Sequence, residues 1–446
     1  MNSDENPHLS EIDAPLSLRE ENRTIRRYAM SILLPGLFVN VTIANQLWEV
    51  GPFFVGQFLF WPLIACASII VLYSFGPSSL VPPLIVVGLL FGRALGANSW
   101  PGLLYLIYGL PLAALFAVAG SATALEMPER VRRQLKIYFA LTVPFMLLQV
   151  AGAGSWTLAL NTETLAVPDL EMDLARASYT TLFVPYEQAL FSIGQSRPAG
   201  FMHANNFLSL PIVFALAVQW GRIRSRRLTW SDVVVCSAVV LAMAKIVMLT
   251  FIVMALWLLW TGSAEERGRM RRVFVLLLGL YAAYALLFPG LFSHHFRWAH
   301  IGYSVLIRLN DFVATLDSSL PIVGVLLEVL DGTPQLRDAS QPDATGVLSG
   351  YAFVSRWLPV LIPLALATSL PLRRGLRDLR EHSVQASRTA ELVLIACVIF
   401  PAAVPIFRSS VYWYIVGFAV APIVWRYSPR LRSRIAAGGV LPLARS

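Results

Sequence analysis

Charge is scarce in this sequence, and that scarcity sets its class. Asp, Glu, Lys and Arg make up 14% of 446 residues, against 57% hydrophobic residues, and the mean hydropathy is +0.64. Soluble domains carry about a quarter charged residues, so a water-soluble globule is excluded. Cysteine is rarer still. The three cysteines, Cys66, Cys236 and Cys397, each sit inside an apolar run. That excludes a disulfide framework or a thiolate metal site and leaves small buried hydrophobes. Nucleotide signatures are missing as well: there is no Walker loop, dinucleotide fingerprint or serine-centred elbow. The N-terminal stretch to Arg27 is polar and mixed in charge, so no cleavable signal peptide is expected. No internal repeat, low-complexity segment or second soluble domain is visible.

What is present is a series of long apolar runs. They lie at about 29–47, 52–75, 79–96, 101–125, 137–153, 207–220, 231–261, 273–292, 351–370, 391–407 and 411–426. Runs of roughly 20 apolar residues match the hydrocarbon core of a bilayer, and only helices or closed barrels satisfy the backbone there. The net charge of +9 would suit a nucleic-acid binder, but the arginines fall in clusters between the runs. Arg23/Arg26/Arg27, Arg130–Lys136, Arg222–Arg227, Arg267–Arg272, Arg373–Arg380 and Arg430–Arg434 read as the positive-inside signature instead. No nucleic-acid partner is expected.

Counting crossings between clusters predicts an all-α integral membrane protein of about twelve transmembrane helices, with both termini cytoplasmic. The predicted order begins with a polar tail (1–27), helices one to five (28–153) and a first large external loop (154–206). Helices six to nine (207–292), a second large loop (293–350), helices ten to twelve (351–427) and a tail (428–446) follow. The stretch 231–261 is basic on both flanks and so demands an even number of crossings. It reads as a short hairpin with Lys245 near its outer turn; the rival is one long tilted helix with Lys245 buried at a cost of several kcal/mol.

The first external loop is acidic at its start, and Leu182, Phe183, Tyr186, Leu190, Phe191 and Ile193 recur at helical spacing, as in an interfacial amphipathic helix. It closes on Arg197-Pro-Ala-Gly-Phe-Met-His-Ala-Asn-Asn206, which concentrates a guanidinium, an imidazole and two amides ahead of an apolar run. Such a stretch can hold a phosphate at a membrane rim; the plain alternative is a pair of interfacial anchors at a helix end. Arginines on the external side break the usual bias. They are Arg176, Arg197, Arg297, Arg308 and Arg337, with Arg356 just inside the next run. An anionic lipid pyrophosphate would explain them, and pairing with nearby carboxylates or headgroups is the alternative. For a general base the loops offer His203, Glu187, Asp311 and the group His294, His295 and His300. The last group is spaced only loosely like a metal site, so the chemistry is read as free of metal and cofactor.

Arg197-x-x-Gly200-Phe201, with Asn206 nine residues after the arginine, resembles the Arg-x-x-Gly-x-Phe…Pro-Asn segment of the O-antigen polymerase and O-antigen ligase superfamily. In that family the segment closes a large periplasmic loop and opens the next helix. A Ser-Arg pair often follows about 35–40 residues later; here that place reads Ala244-Lys245, keeping the cation alone. Ligases usually carry a His-Asn pair late in the second loop, and Asp343–Gly350 has no histidine, which favours the polymerase side. The resemblance covers about 137–370. It implies a metal-independent inverting glycosyltransferase of the bacterial inner membrane, moving a glycan from undecaprenyl pyrophosphate to a lipid-linked repeat unit. It implies pyrophosphate contacts from Arg197 and Lys245, with Arg308 joining by loop position. Glu187 and His203 stand as candidate acceptor bases. Gly200, Asn205, Asn206, Arg297, Arg337 and Arg356 are left to substrate binding. Partners implied are the undecaprenyl-linked oligosaccharide, membrane lipids, a chain-length regulator and a flippase. A ligase of the same superfamily and a polytopic transporter or flippase remain the alternatives.

Overall fold

The structure is a computed structural model that describes residues 16–47, 52–76, 110–151, 200, 205–222, 227–289, 292, 350–400, 410–429 and 431–433. Among the described residues every regular element is a helix. In chain order they are α1 (Leu16–Leu47), α2 (Pro52–Phe75), α3 (Leu110–Glu126), α4 (Pro128–Ala151), α5 (Asn205–Trp220), α6 (Trp230–Ala242), α7 (Lys245–Thr261), α8 (Ala264–Leu287), α9 (Gly350–His382), α10 (Val384–Ile399) and α11 (Ser410–Tyr427). α1, α2, α4, α5 and α11 contain an internal proline. An internal proline frees one carbonyl of the helix, which other groups must satisfy.

One helix lies at the centre. Every residue of α5 from Leu208 to Trp220 is buried, and α4, α6, α7, α10 and α11 all pack on it. A helix apolar on all sides has no face to offer water and can only be an interior element. At the periphery the order inverts. Leu256, Val275, Leu278, Leu286, Leu366 and Val398 are exposed. α8 is long and apolar enough to cross a membrane, and no other helix reaches both limits among the described residues.

The tightest pair is α3 with α11. A Cβ on Gly120 would stand 2.0 Å from the Tyr414 carbonyl oxygen, and one on Gly417 would stand 2.1 Å from that of Ala117. Only glycine lets these backbones approach so closely, as in small-residue crossings of membrane helices. The Ser121 hydroxyl completes the contact by donating to the carbonyls of Gly417 (2.8 Å) and Ala117 (2.9 Å).

Polar contacts gather alternate helix ends into one girdle. Arg26 in α1 pairs with Glu126 at the end of α3, and Arg222 after α5 pairs with Glu129 at the start of α4. Gln219 near the end of α5 donates to Thr229 ahead of α6 at 3.1 Å. Arg269 of α8 donates to both oxygens of Asp232 of α6 at 2.8 and 2.7 Å. Arg388 of α10 reaches Glu266 of α8 at 3.2 Å, Glu391 at 2.7 Å and the Thr261 hydroxyl of α7 at 2.9 Å. Arg426 of α11 pairs with Asp378 of α9 at 2.7 Å. The starts of α4, α6, α8 and α10 and the ends of α3, α5, α7, α9 and α11 therefore share one end of the bundle.

This girdle corrects part of the expected layout. The cationic clusters at 130–136, 267–272 and 373–380 lie within α4, α8 and α9 rather than in links between helices. α1 begins at Leu16, so residues 16–27 of the stretch expected as a polar tail are helical. Capping fixes the early start of α8 and the start of α6. Ser263 accepts from the Glu266 amide, and the Glu266 carboxylate accepts from the Ser263 amide at 2.6 Å. Asp232 accepts likewise from the Thr229 amide at 2.7 Å. Reciprocal caps of this kind fix where a helix begins.

Candidate functional site

The girdle defines a second, opposite end. α4 and α8 start at the girdle, so they finish at the far end with Ala151 and Leu287; α5 and α9 begin at that far end with Asn205 and Gly350. Both long segments expected as external loops therefore leave from and return to the same end of the bundle, away from the arginine-rich girdle.

Five of the expected site positions fall in this region: Gly200, Asn205, Asn206, Lys245 and Arg356. Gly200 is buried, with φ +59, and a Cβ there would meet Thr142 Cγ2 of α4 at 2.6 Å and the Leu208 side chain at 3.5 Å. A left-handed backbone and a wall with no room for a methyl both demand glycine. Five residues on, Asn205 and Asn206 form the first turn of α5. Gly200 thus packs against α4 and the first turns of the central helix.

Lys245 is the first residue of α7. The stretch expected as a hairpin breaks at Met243 and Ala244, between α6 and α7. Met243 is in the left-handed conformation, φ 49 and ψ 26, its amide donating to the Val240 carbonyl at 3.3 Å. A non-glycine residue held there stores roughly 1–3 kcal/mol of strain, which the surroundings must offset; Met243 and Ala244 are both buried. The two outer ends of the stretch, Asp232 of α6 and Thr261 of α7, meet the girdle through Arg269 and Arg388. A continuous helix of 32 residues would separate its ends by about 48 Å, so the chain folds back at Met243–Ala244. α6 and α7 each pack on α5 and α8, and Lys245 is carried to the far end.

Five helices thus direct their N-termini to one end: α3, α5, α7, α9 and α11. Unpaired amides and aligned dipoles make such ends favourable for anions. Arg356 lies in the second turn of α9, whose main packing is on α10 and α11, so it shares this end without being brought onto α5. The side chains of Asn205, Asn206 and Arg356 lie outside the described residues, as do Glu187, Arg197, His203, Arg297, Arg308 and Arg337. No group of three His, Cys, Asp or Glu side chains able to hold a metal occurs among the described residues; His294, His295 and His300 are outside them.

A cavity of about 90 Å3 opens beside Glu129, Arg222, Gln385 and Thr389, floored by Leu125, Val218 and Phe418. It is at the girdle end, and a site for even a small organic ligand usually occupies about 300 Å3 or more, so it is not the expected site. What sequence reasoning missed is the girdle itself. Arg269 read as a topology marker, yet it is committed to Asp232; Arg388 and Arg426, outside every basic cluster, are each committed to a carboxylate as well. The Ser263-x-x-Glu266 and Thr229-x-x-Asp232 spacings were the available signal.

In comparison with known proteins, the chain matches no family model, no curated protein and no solved structure.

Proposed function

We propose that this chain is a multi-pass enzyme of the bacterial inner membrane, a polysaccharide polymerase of about twelve transmembrane helices. It transfers a growing glycan from undecaprenyl pyrophosphate to the non-reducing end of a lipid-linked repeat unit on the outer face. The observation that carries the reading is a convergence. The turn at Gly200, the N-terminus of α5 and Lys245 at the N-terminus of α7 lie at the end where both long segments attach, opposite the cationic girdle. A fixed cation beside helix N-termini suits a pyrophosphate.

In this reading Arg197 and Lys245 hold the donor pyrophosphate, with Arg308 beside them. A base, Glu187 or His203, takes the proton of the acceptor hydroxyl. The hydroxyl oxygen bonds to the anomeric carbon of the donor as its bond to the pyrophosphate oxygen breaks, inverting the centre. Undecaprenyl pyrophosphate departs with the electron pair, its charge met by the cations. Asn205, Asn206, Arg297, Arg337 and Arg356 line the sugar path. A chain-length regulator and a flippase would act beside it.

The test is a deletion strain complemented with wild-type or Arg197→Ala protein, with surface glycans resolved on a gel and the protein followed in the membrane fraction. Single repeat units with the variant and long chains with the wild type support the polymerase. Long chains retained on the lipid carrier would make it a ligase, and an unchanged glycan would overturn the transferase reading.

A further inference from the structure

A second charged feature at the girdle end lacks the compensation seen elsewhere. Arg27 of α1 and Arg130 and Arg133 of α4 stand together where these helices are stitched side by side. Arg130 donates through Nε and Nη2 to the Ser31 hydroxyl at 3.1 and 2.7 Å, and Ser31 donates to the Arg27 carbonyl at 2.8 Å. Gln134 reaches the Met30 carbonyl at 3.4 Å. Among the described residues none of the three arginines has a carboxylate partner: Glu126 is taken by Arg26, and Glu129 by Arg132 and Arg222. Desolvation, then repulsion from Arg27 and Arg133, holds the Arg130 guanidinium below its usual pKa. Three like charges held together without an acid call for an anion from outside.

The surface beyond them is apolar. Arg133, Ile137 and Leu141 follow at i, i+4 and i+8, so they form one stripe on α4, with Ile137 53% and Leu141 61% exposed. On α1, Tyr28 is 67% and Ile32 53% exposed, one turn apart. An aromatic at the level of the cations with aliphatic groups beyond it is the pattern of a headgroup level above an acyl level.

We propose that Arg27, Arg130 and Arg133 bind the headgroup of an anionic phospholipid of the cytoplasmic leaflet, whose acyl chain lies along the α1–α4 seam over Ile32, Ile137 and Leu141. A free phosphate would satisfy the cations but leave the stripe uncovered, so the occupant is a lipid. The site rests on the membrane part of the reading above and not on the glycosyl transfer.

The experiment uses the full chain purified in detergent, titrated with phosphatidylglycerol or phosphatidylcholine of matched acyl chains and read by native mass spectrometry. Wild-type protein should retain phosphatidylglycerol in preference to phosphatidylcholine. Arg27→Gln with Arg133→Gln, both exposed positions, should weaken that retention about fivefold per arginine. Arg373→Gln with Arg374→Gln on α9 should leave it unchanged. Ile137→Ser with Leu141→Ser should weaken it without altering selectivity. Equal retention by wild type and the Arg27/Arg133 pair, an equal loss with the α9 pair, or full competition by inorganic phosphate would each overturn the site. Release of the chain from membranes by alkaline carbonate would overturn the membrane reading and the site with it. A retained chain with no charge-dependent lipid binding would overturn the site alone.

Discussion

Breaking the Asp232–Arg269 pair tests the girdle most directly. The two side chains are 0% and 4% exposed, so neither charge can be rescued by water. Asp232→Asn removes the negative charge and leaves Arg269 with the Thr229 hydroxyl at 3.3 Å, its Nε already without a partner. Stranding one member of a buried pair costs about 3–5 kcal/mol. Arg269→Met should cost less, because the Asp232 carboxylate keeps two donors, the Thr229 amide at 2.7 Å and hydroxyl at 2.9 Å. The double variant should be less destabilised than the sum of the singles by at least about 2 kcal/mol, since pairs in contact couple on that scale. The assay is reversible unfolding in mixed micelles, with all four proteins in one cycle. Additivity within about 0.5 kcal/mol, the range of independent sites, would refute the claim that each charge is there to satisfy the other.

Other consequences concern single positions. Gly120→Ala should lower stability by about 1–3 kcal/mol, the cost of overpacking, because its methyl would meet the Tyr414 carbonyl; thermal unfolding in detergent checks it, and a wild-type melting point would contradict the close crossing. Gly200→Ala should cost about 1–2 kcal/mol from its left-handed backbone plus the clash with Thr142 Cγ2. Thr142→Ser should relieve the clash and restore part of that loss, and absence of any rescue would contradict the contact. Partial desolvation and then Arg132 lower the pKa of Lys136, an exposed residue, from 10.5, so its charged form is disfavoured in the fold. That penalty is complete below the folded pKa and fades as pH rises towards the unfolded value. Lys136→Gln should therefore be the more stable protein at neutral pH, with the gap narrowing in alkali; a gap that widens would refute the sign.

How much was legible beforehand differs by element. The apolar runs located nearly every helix, because length and hydropathy are local properties, and α2 falls at Pro52–Phe75 as expected. The basic flanks of 231–261 required a fold-back, since one helix cannot bring two cationic ends to one face. Gly200 was singled out for the motif around it, and its positive φ gives a backbone reason for glycine. Partner choice was not legible. Nothing in Asp232 points to a residue 37 positions later, and small residues at 120 and 417 look like any others until the helices cross. The bend at Met243–Ala244 falls beside Lys245, where the expected hairpin has its outer turn; what was hidden is the backbone that makes it. Ala-Met-Ala carries no glycine, proline or asparagine, so no turn chemistry marked it.

That bend ties the two ends of the bundle together. A Met in the left-handed region survives only when its surroundings over-determine it. Two things do so here: burial of Met243 and Ala244, and anchorage of the outer ends of α6 and α7 through Arg269 and Arg388. If the girdle sets the length and direction of both arms, then Lys245 is positioned from the opposite end of the molecule. Weakening Asp232–Arg269 should accordingly change more than stability. Asp232→Asn should raise the reactivity of Lys245 towards a membrane-impermeant amine reagent at temperatures well below unfolding, measured by mass spectrometry of the modified peptide. Unchanged labelling alongside a lowered melting point would mean that the bend holds itself, and that the girdle stabilises the fold without aiming the cation.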